Sequence, residues 1–466
     1  MRKIIIMAAA VTVALMATSA TAGNYKINKK NKAETSGVSY VIGQSENSVK
    51  LPITEKAELD SFYYRMSGNL MAYPYTETNP PAQTAAPEGY EPFHLEHYGR
   101  HGSRWLIGAS DYTAPIERLE RAERHGLLTP LGIEVLTALR NIQKASLKRE
   151  GELSDKGAVQ HQVIGRRIAE TYPQIFAPGA NVDAKSTVVI RCILSMLNGL
   201  EGIREVAPSV NISSDASYAD MYFMNFDDRK AWAHKDKADT TAFAAYKARH
   251  DIGSDYLERL VTDSKFARDS VAPGMLPYLY WVLANTQGHT GQPWLLDKVF
   301  TPDEVRELWR QGNAGWFLHS GNSVLTDGRM PYTQRMLLRN FIESADTAML
   351  STVPSANLRY GHDGILVNAI TLMELDHYGD RIDDLEQLEQ IGWYDYDLIP
   401  KAGNLQLVFY RPKGSTNPDE VLVKALINER EVTLPVASET APYYSWTAVR
   451  DYYMRKLDRF DTEWGE

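Results

Sequence analysis

The chain has 466 residues, 44% of them hydrophobic and 23% charged, with a formal net charge of −9. That is a globular composition, with enough length for two domains or for one large core carrying an insertion. The acidic excess argues against a general nucleic-acid binder, and the single cysteine, Cys192, excludes an intrachain disulfide and a Cys-based metal site.

Arg2 and Lys3 precede an apolar run from Ile4 to Ala17, and Ala20-Thr21-Ala22 follows in the small-x-small pattern that a signal peptidase requires. The run is shorter than the ~20 residues of a membrane span. The expectation is a signal peptide over 1–22 and a periplasmic or secreted mature chain without a membrane span, starting near Gly23 with a polar, Lys-rich lead-in to about residue 55. A short helix is expected near Glu58 to Met71, then a Pro-rich connector and a short strand at "FHLEH" that "YGRHG" breaks. Residues from Tyr112 to about Arg149 read as helical and charged. In "ELSDKGAVQHQVIGRRIAETYP", Ser154 is the expected N-cap, with Val159, Val163, Ile164 and Ile168 as the apolar stripe. "VDAKST" reads as a strand, with a helix from about Thr187.

Helices dominate 220–325, where Thr301, Pro302 and Glu304 form a capping box with proline at the first helical position. The last third reads as a helix at "TQRMLLRNFIESADTAML", then strand, tight turn and helix at "NLRYGHDGILVNAITLM". Strands at "NLQLVFY" and "EVLVKALI" and a final helix capped by Ser445 close the chain. The alternation of strands and helices near both ends predicts an α/β fold: a central, mostly parallel sheet flanked by helices, with an inserted, mainly helical domain. The α/β core is assigned to 23–110, 151–220 and 326–466, and the helical insertion or cap to 111–150 and 221–325.

"EPFHLEHYGRHGSRW" (91–105) holds three histidines and two arginines. His94, His97 and His101 would line one face of a helix, but Pro92, Gly99 and Gly102 break any helix here, and two arginines would repel a divalent cation. As a strand, the stretch puts Phe93, Leu95 and His97 on one face and His94 and Glu96 on the other. His94 and His97 then read as ordinary strand residues, one of them satisfied in the core. His101 differs in its company. It lies past the strand, between Arg100 and Arg104, where open α/β sheets bind ligands. Two guanidiniums favour phosphate, Gly102 permits close backbone approach, and a neutral imidazole beside phosphate can act as a nucleophile. From this motif alone, a solvated Arg-His-Arg loop stands equally open.

Arg100-His101-Gly102-Ser103-Arg104 resembles the Arg-His-Gly-x-Arg signature of the histidine phosphatase superfamily, in its histidine acid phosphatase and phytase branch. "GELSDKGAVQHQVIGRRIAE" is similar to that branch's Leu-Thr-x-x-Gly-x-x-Gln-His segment, "KSTVVIRCILS" to its Ser-Thr-x-x-x-Arg segment and "RYGHDGI" to its His-Asp pair. "NLQLVFY" and "VLVKALINEREVTLP" resemble its closing strands. The blocks run in family order from about residue 93 to 433. The resemblance implies an α/β sheet domain with a helical insertion and the active site between them. It implies that His101 attacks phosphorus, that Arg100, Arg104 and Arg191 hold the non-bridging oxygens, and that His362 adds a donor. Asp363 would protonate the leaving alkoxide. No metal or other cofactor is implied, and the partner is a small phosphate monoester.

His362-Asp363 could also be a plain turn, since Asp-Gly is common there, and Arg191 a surface arginine. His161, in a helical stripe, reads as structural. Trp105-Leu106 stand where the family often has proline two residues after the second arginine. His362-Asp363-Gly364 replaces the His-Ala-Glu of inositol polyphosphate phosphatases of the multiple type, which leans away from that subgroup but not from phytate. The leading expectation is an exported acid phosphomonoesterase, with a phytase as the alternative. A phosphoryl mutase, disfavoured by export, and a non-catalytic phosphate-binding protein complete the set.

Overall fold

The computed structural model of the protein describes residues 55–226 and 229–464. The expected signal peptide and most of the lead-in lie outside them. Among the described residues, no helix is long and apolar enough to cross a membrane.

One eight-stranded sheet organises the fold, in the order β3-β2-β4-β1-β5-β6-β7, with β8 paired to β6. The strands are β1 (Tyr90–Arg100), β2 (Asn181–Ser186), β3 (Asn211–Asp215), β4 (Ser355–Gly361), β5 (Asn404–Pro412), β6 (Leu422–Ile427), β7 (Arg430–Val432) and β8 (Tyr444–Ser445). β1 to β4 are mutually parallel; β5 to β8 pair antiparallel. The sheet is therefore mixed, and "mostly parallel" describes only half of it. The reason is connection length. A parallel return needs a crossover of roughly a dozen residues or more, and residues 413–421 between β5 and β6 are too few. Asn428 and Glu429, both at positive φ, then turn β6 directly into β7.

β1 is longer than expected and runs through Gly99 to Arg100. A register shift between Pro92 and His94 admits the proline. It also turns Phe93 to the face of Tyr98, while Leu95 packs on the other, so Phe93 and Leu95 do not share a face as simple alternation required.

Three apolar cores surround the sheet. One joins β1, β5 and β6 to the helices Arg335–Met349, Asp363–Leu372 and Trp446–Glu463. Another packs the opposite face against α4 (Asp155–Thr171) and α5 (Ile190–Val206), the helices following α1 (Glu55–Arg65), α2 (Ala109–Arg124) and α3 (Pro130–Ser146). A third is helical. It gathers α2, α3 and residues 256–309 around Leu119, Leu136 and Leu283, and takes in Trp105 and Leu106. Phe223, Met224, Ala238 and Tyr246 join the first core instead, so the helical region at 221–325 divides between two cores. Each fully buried leucine or phenylalanine stabilises these cores by about 1.5–3 kcal/mol.

The local signals are those the chemistry dictates. Ser154 accepts from the Gly157 N–H, Ser445 from Ala448, and Thr301 and Glu304 form the capping box before Pro302. The buried face of α4 is rotated from the expected stripe: Gln160, His161, Ile164 and Ile168 face inward and Val159 is exposed. The helix of "VVIRCILS" begins at Ile190 rather than Thr187.

Candidate active site

The parallel half of the sheet brings three strand ends together. Arg100 at the end of β1 pairs with Gly361 at the end of β4, and Ser186 at the end of β2 pairs with Tyr360. The chain then leaves each end into a loop: Arg100 to Arg104 from β1, Thr187 to Arg191 from β2, and His362-Asp363 from β4. Because β5 runs antiparallel to β1, its start at Asn404 lies at this same edge, opposite Gly99. Lys401, just ahead of it, joins the cluster.

The loop after β1 is locked to α4. Ser103 gives its N–H to Gln160 Oε1 (2.9 Å), Gln160 Nε2 donates back to Ser103 Oγ (3.0 Å), and Ser154 Oγ donates to the Ser103 carbonyl (3.0 Å). A Cβ on Gly102 would stand 2.4 Å from the Gly157 carbonyl oxygen, and one on Gly157 2.2 Å from that of Ser103. The close approach that Gly102 permits is thus to helix backbone. The "LSDKGAVQH" block is the buttress of the "RHGSR" loop. Its His161 is buried, and burial lowers its pKa to about 3, against a hydrogen bond to the Arg100 backbone.

His101 is 1% exposed. Its Nδ1–H donates to the Gly102 carbonyl (2.9 Å), which leaves the lone pair on Nε2. Burial, then Arg191, Arg100, Arg104 and Lys401, push its pKa well below the ordinary value. The ring is neutral, with a fixed tautomer. His362 lies edge-on at 5.9 Å between ring centroids. It caps the helix Asp363–Leu372 in extended backbone, held by its N–H to Tyr98 Oη (3.1 Å) and by its Nε2 contact with Thr187 Oγ1 (3.2 Å). Burial and Arg191 bring its pKa to about 4.

Arg100 is wholly buried. Its Nη1 donates to the carbonyls of Asn69 (2.7 Å) and Ile399, and its Nη2 lies 2.6 Å from Asp363 Oδ2, close but off hydrogen-bond alignment. Asp395, buried and raised to about 6 by desolvation, adds a carboxyl on the Arg100 side. Arg104 donates to the Trp105 carbonyl (2.9 Å). Burial and Arg191 bring its pKa down to about 10. Arg191 stands in the first turn of α5. The Nε atoms of Arg100, Arg104 and Arg191 are buried without hydrogen-bond partners, as is Lys401 Nζ. Asp363 is the carboxylate placed among them. Burial pushes its carboxyl up, but Arg100, Lys401, Arg104 and His362 outweigh this and hold it well below the usual range. It begins a helix and accepts from the Gly364 N–H (3.1 Å), both of which favour the anion.

All six residues named from sequence, Arg100, His101, Arg104, Arg191, His362 and Asp363, thus meet at one sheet edge. His94 and His97 stay buried in β1, away from that meeting point. Trp105 packs into the helical core and lies against His289, tilted, with ring centroids 4.0 Å apart. Sequence reading missed Lys401 and His289. His289 accepts from Asn285 Nδ2 (3.0 Å), and burial lowers its pKa to about 4. It also lines a cavity of about 750 Å³ with Tyr64, Arg65, Lys156 and Trp294. No cluster of metal-ligating side chains occurs among the described residues.

No family model and no curated protein matches the chain. Solved structures do. The multiple inositol polyphosphate phosphatase of Bifidobacterium longum in complex with phosphate superposes at a TM-score of 0.69, with 18% identity over 84% of this chain and 98% of that one. The fold is that of the phytases. The same Bifidobacterium enzyme with inositol hexasulfate gives 0.66 over 82% and 96%, again at 18% identity. The phytase of D. castellii gives 0.62 at 14% identity over 89% and 90%. The likeness to the histidine acid phosphatase and phytase branch therefore holds at the level of fold, and the phytase fold is α/β with a helical layer, as expected from the sequence. Residues 362–364 keep His-Asp-Gly. A Cβ on Gly364 would meet His319 at 2.9 Å, so His319 fills the space of a larger side chain there.

Proposed function

We propose that the protein is a phosphomonoesterase of the histidine acid phosphatase type, exported from the cytoplasm, that works through a phosphohistidine. One observation carries this reading. His101 presents an unprotonated Nε2 where Arg100, Arg104 and Arg191 converge with donors to spare. Buried guanidinium nitrogens without partners are costly, and a bound phosphoryl group supplies acceptors to the arginines. Asp363 argues against mere binding, since an anion beside a phosphate site weakens affinity unless it does chemistry.

In the first step the Nε2 lone pair attacks phosphorus and the ester P–O bond breaks. Asp363 gives its proton to the departing alkoxide, leaving phosphohistidine and the free alcohol. The Gly102 carbonyl takes up part of the imidazolium charge through Nδ1–H, and the arginines hold the non-bridging oxygens. Water then attacks phosphorus, Asp363 accepts its proton, the P–N bond breaks and orthophosphate leaves. In the empty site Asp363 is ionised and paired with Arg100. A phosphate dianion competes for Arg100 and raises the carboxyl pKa, so substrate itself loads the acid. This favours turnover on the acid side of neutrality.

An inositol polyphosphate is the alternative substrate, supported by the likeness to enzymes of that class. The neighbouring cavity is large enough for such a ligand, but its Arg65, Lys156 and Arg430 are matched by Asp60, Glu77 and Asp397. Phosphate release from phytate, glucose 1-phosphate and an aryl phosphate, across roughly pH 3 to 8 with a chelator present, tests both readings. Wild type is expected to turn over and form a phosphoenzyme that is stable to alkali and labile to acid. His101→Ala should lose at least about a thousandfold and form none. An inactive wild type on all three esters would leave a binding protein as the better reading.

A further inference from the structure

Two lysines are buried among the described residues, and they are treated in opposite ways. Lys424 is 1% exposed, and its Nζ donates to Gln83 (3.0 Å), the Thr84 carbonyl (3.4 Å) and Glu431 (2.9 Å). All three of its protons are used. Lys401 is 0% exposed, and its Nζ has no partner at all. Its backbone is fixed on both sides: its N–H donates to the Met71 carbonyl (2.8 Å), and the Ala402 N–H donates to the carbonyl of His101 itself (3.1 Å). The charged groups that bear on it are Arg100, Arg104, Asp363 and Arg191. It bears in turn on His101 and His289.

A buried amine whose hydrogen-bonding capacity is wholly unused is a costly arrangement for a fold to hold. No hydrogen bond at Lys401 Nζ offsets that cost, in contrast to Lys424. The bound anion of this site would. We infer that Lys401 is a further cationic contact for the phosphoryl group, donating from Nζ to a non-bridging oxygen from the start of β5. The anion's identity rests on the phosphatase reading above. Burial and the three arginines hold the Lys401 amine well below its ordinary pKa when the site is empty. A phosphate dianion favours the ammonium form, so anion binding shifts Lys401 toward proton uptake.

Calorimetric titration of orthophosphate into the full chain, in two buffers of different ionisation enthalpy, reads both affinity and proton uptake. Wild type is expected to take up protons. Lys401→Met should bind roughly tenfold or more weakly and take up fewer protons. Its Tm without phosphate should hold or rise, because an unpaired amine has become an apolar chain of similar length. Lys401→Gln, which keeps a donor without charge, should fall between the two and carries the test if the methionine variant does not fold. Wild-type affinity and proton count in both variants would overturn the inference. So would a lowered Tm with unchanged affinity, which would mark a structural lysine. Lys401-dependent phosphate binding without hydrolysis of any ester would defeat the phosphatase reading and leave this contact standing. Ester hydrolysis with unchanged KM and kcat in Lys401→Met would do the reverse.

Discussion

β1 carries buried charge near its start and again past its end, and the two places are built on different terms. Near the start, Glu96 Oε1 accepts from Ser344 Oγ (2.5 Å) and Asn357 Nδ2 (2.7 Å) and meets His94 Nε2 at 2.9 Å, while His94 Nδ1 reaches Ser355 Oγ at 2.8 Å. That cluster ties β1 to β4 and to the helix Arg335–Met349 and leaves only Glu96 Oε2 unmatched. Past the strand's end, Arg100, Arg104 and Lys401 surround the carboxylate of Asp363, with Arg191 beside them, and each of the four cations keeps a buried nitrogen without a partner. A closed polar cluster fixes a fold. One left open by several donors costs stability and is retained where a ligand completes it.

The sharpest way to break this contrast is at Asp363. Asp363→Asn removes the acid and also the anion that competes for Arg100. Turnover should fall by about two to four orders of magnitude, while orthophosphate binds at least as tightly as to wild type. The empty protein should lose Tm, because Arg100 and Arg104 lose the carboxylate placed among them, and saturating phosphate should restore it. Weaker phosphate binding in this variant would mean that Asp363 organises the arginines rather than competing with the ligand. Next in size is Arg191→Met, with an expected loss of about a hundredfold in kcat/KM and no loss of Tm without phosphate. A clear fall in Tm would place Arg191 with the structural residues.

Why six of these residues were legible and Lys401 was not follows from where they enter. Arg100 to Arg104, Arg191 and His362-Asp363 each follow a parallel strand, and glycines or a helix start mark the break in the chain. Parallel strands deliver their C-terminal ends to one edge, so locating the strands located the site. Lys401 arrives by the start of an antiparallel strand, which reading β5 as part of a mostly parallel sheet puts at the wrong edge. The signal available was a lone charge in "LIPKAG", apolar on either side and joined to a strand that is buried almost throughout. His289 comes from the helical layer and touches the site through Trp105, a tertiary contact with no local pattern. The division of 221–325 between two cores was hidden for the same reason, since helical periodicity shows that a face is buried without saying against what.

At the closed cluster the expected effect is on folding alone. Glu96→Ala leaves His94, Ser344 and Asn357 without their shared acceptor in a dry interior. A loss of about 2–3 kcal/mol is expected, measured by denaturant unfolding, with kcat per folded molecule unchanged. A variant of wild-type stability and reduced kcat would mean that this cluster communicates with the site and that the two ends of β1 are not independent.

The smallest effect concerns acid. Burial holds His97 and His161 at about 3, and His289, His319 and His362 at about 4, whereas an unfolded histidine titrates near 6.5. Between roughly 6.5 and those folded values the unfolded chain binds protons that the folded one excludes. Stability is then complete above that window and declines as pH falls through it. The Asp363 contribution has the other boundary. Its lowered folded pKa gives stability that is complete above the unfolded carboxylate value, about 4, and fades only below it. Tm should therefore be level near neutrality and slope down under acid, with phosphate offsetting the slope because its binding favours the folded state. His161→Phe isolates one histidine. The ring packs edge-on to Tyr360 at 5.5 Å, and its Nε2 has no partner, so an apolar ring loses only the contact with the Arg100 backbone. Neutral Tm should change little, while the acid slope becomes shallower by at most about 1.4 kcal/mol per pH unit, the weight of one proton. An unchanged slope would mean that the folded protein already admits that proton, and that the neutral histidines flanking the site are not what limits the fold in acid.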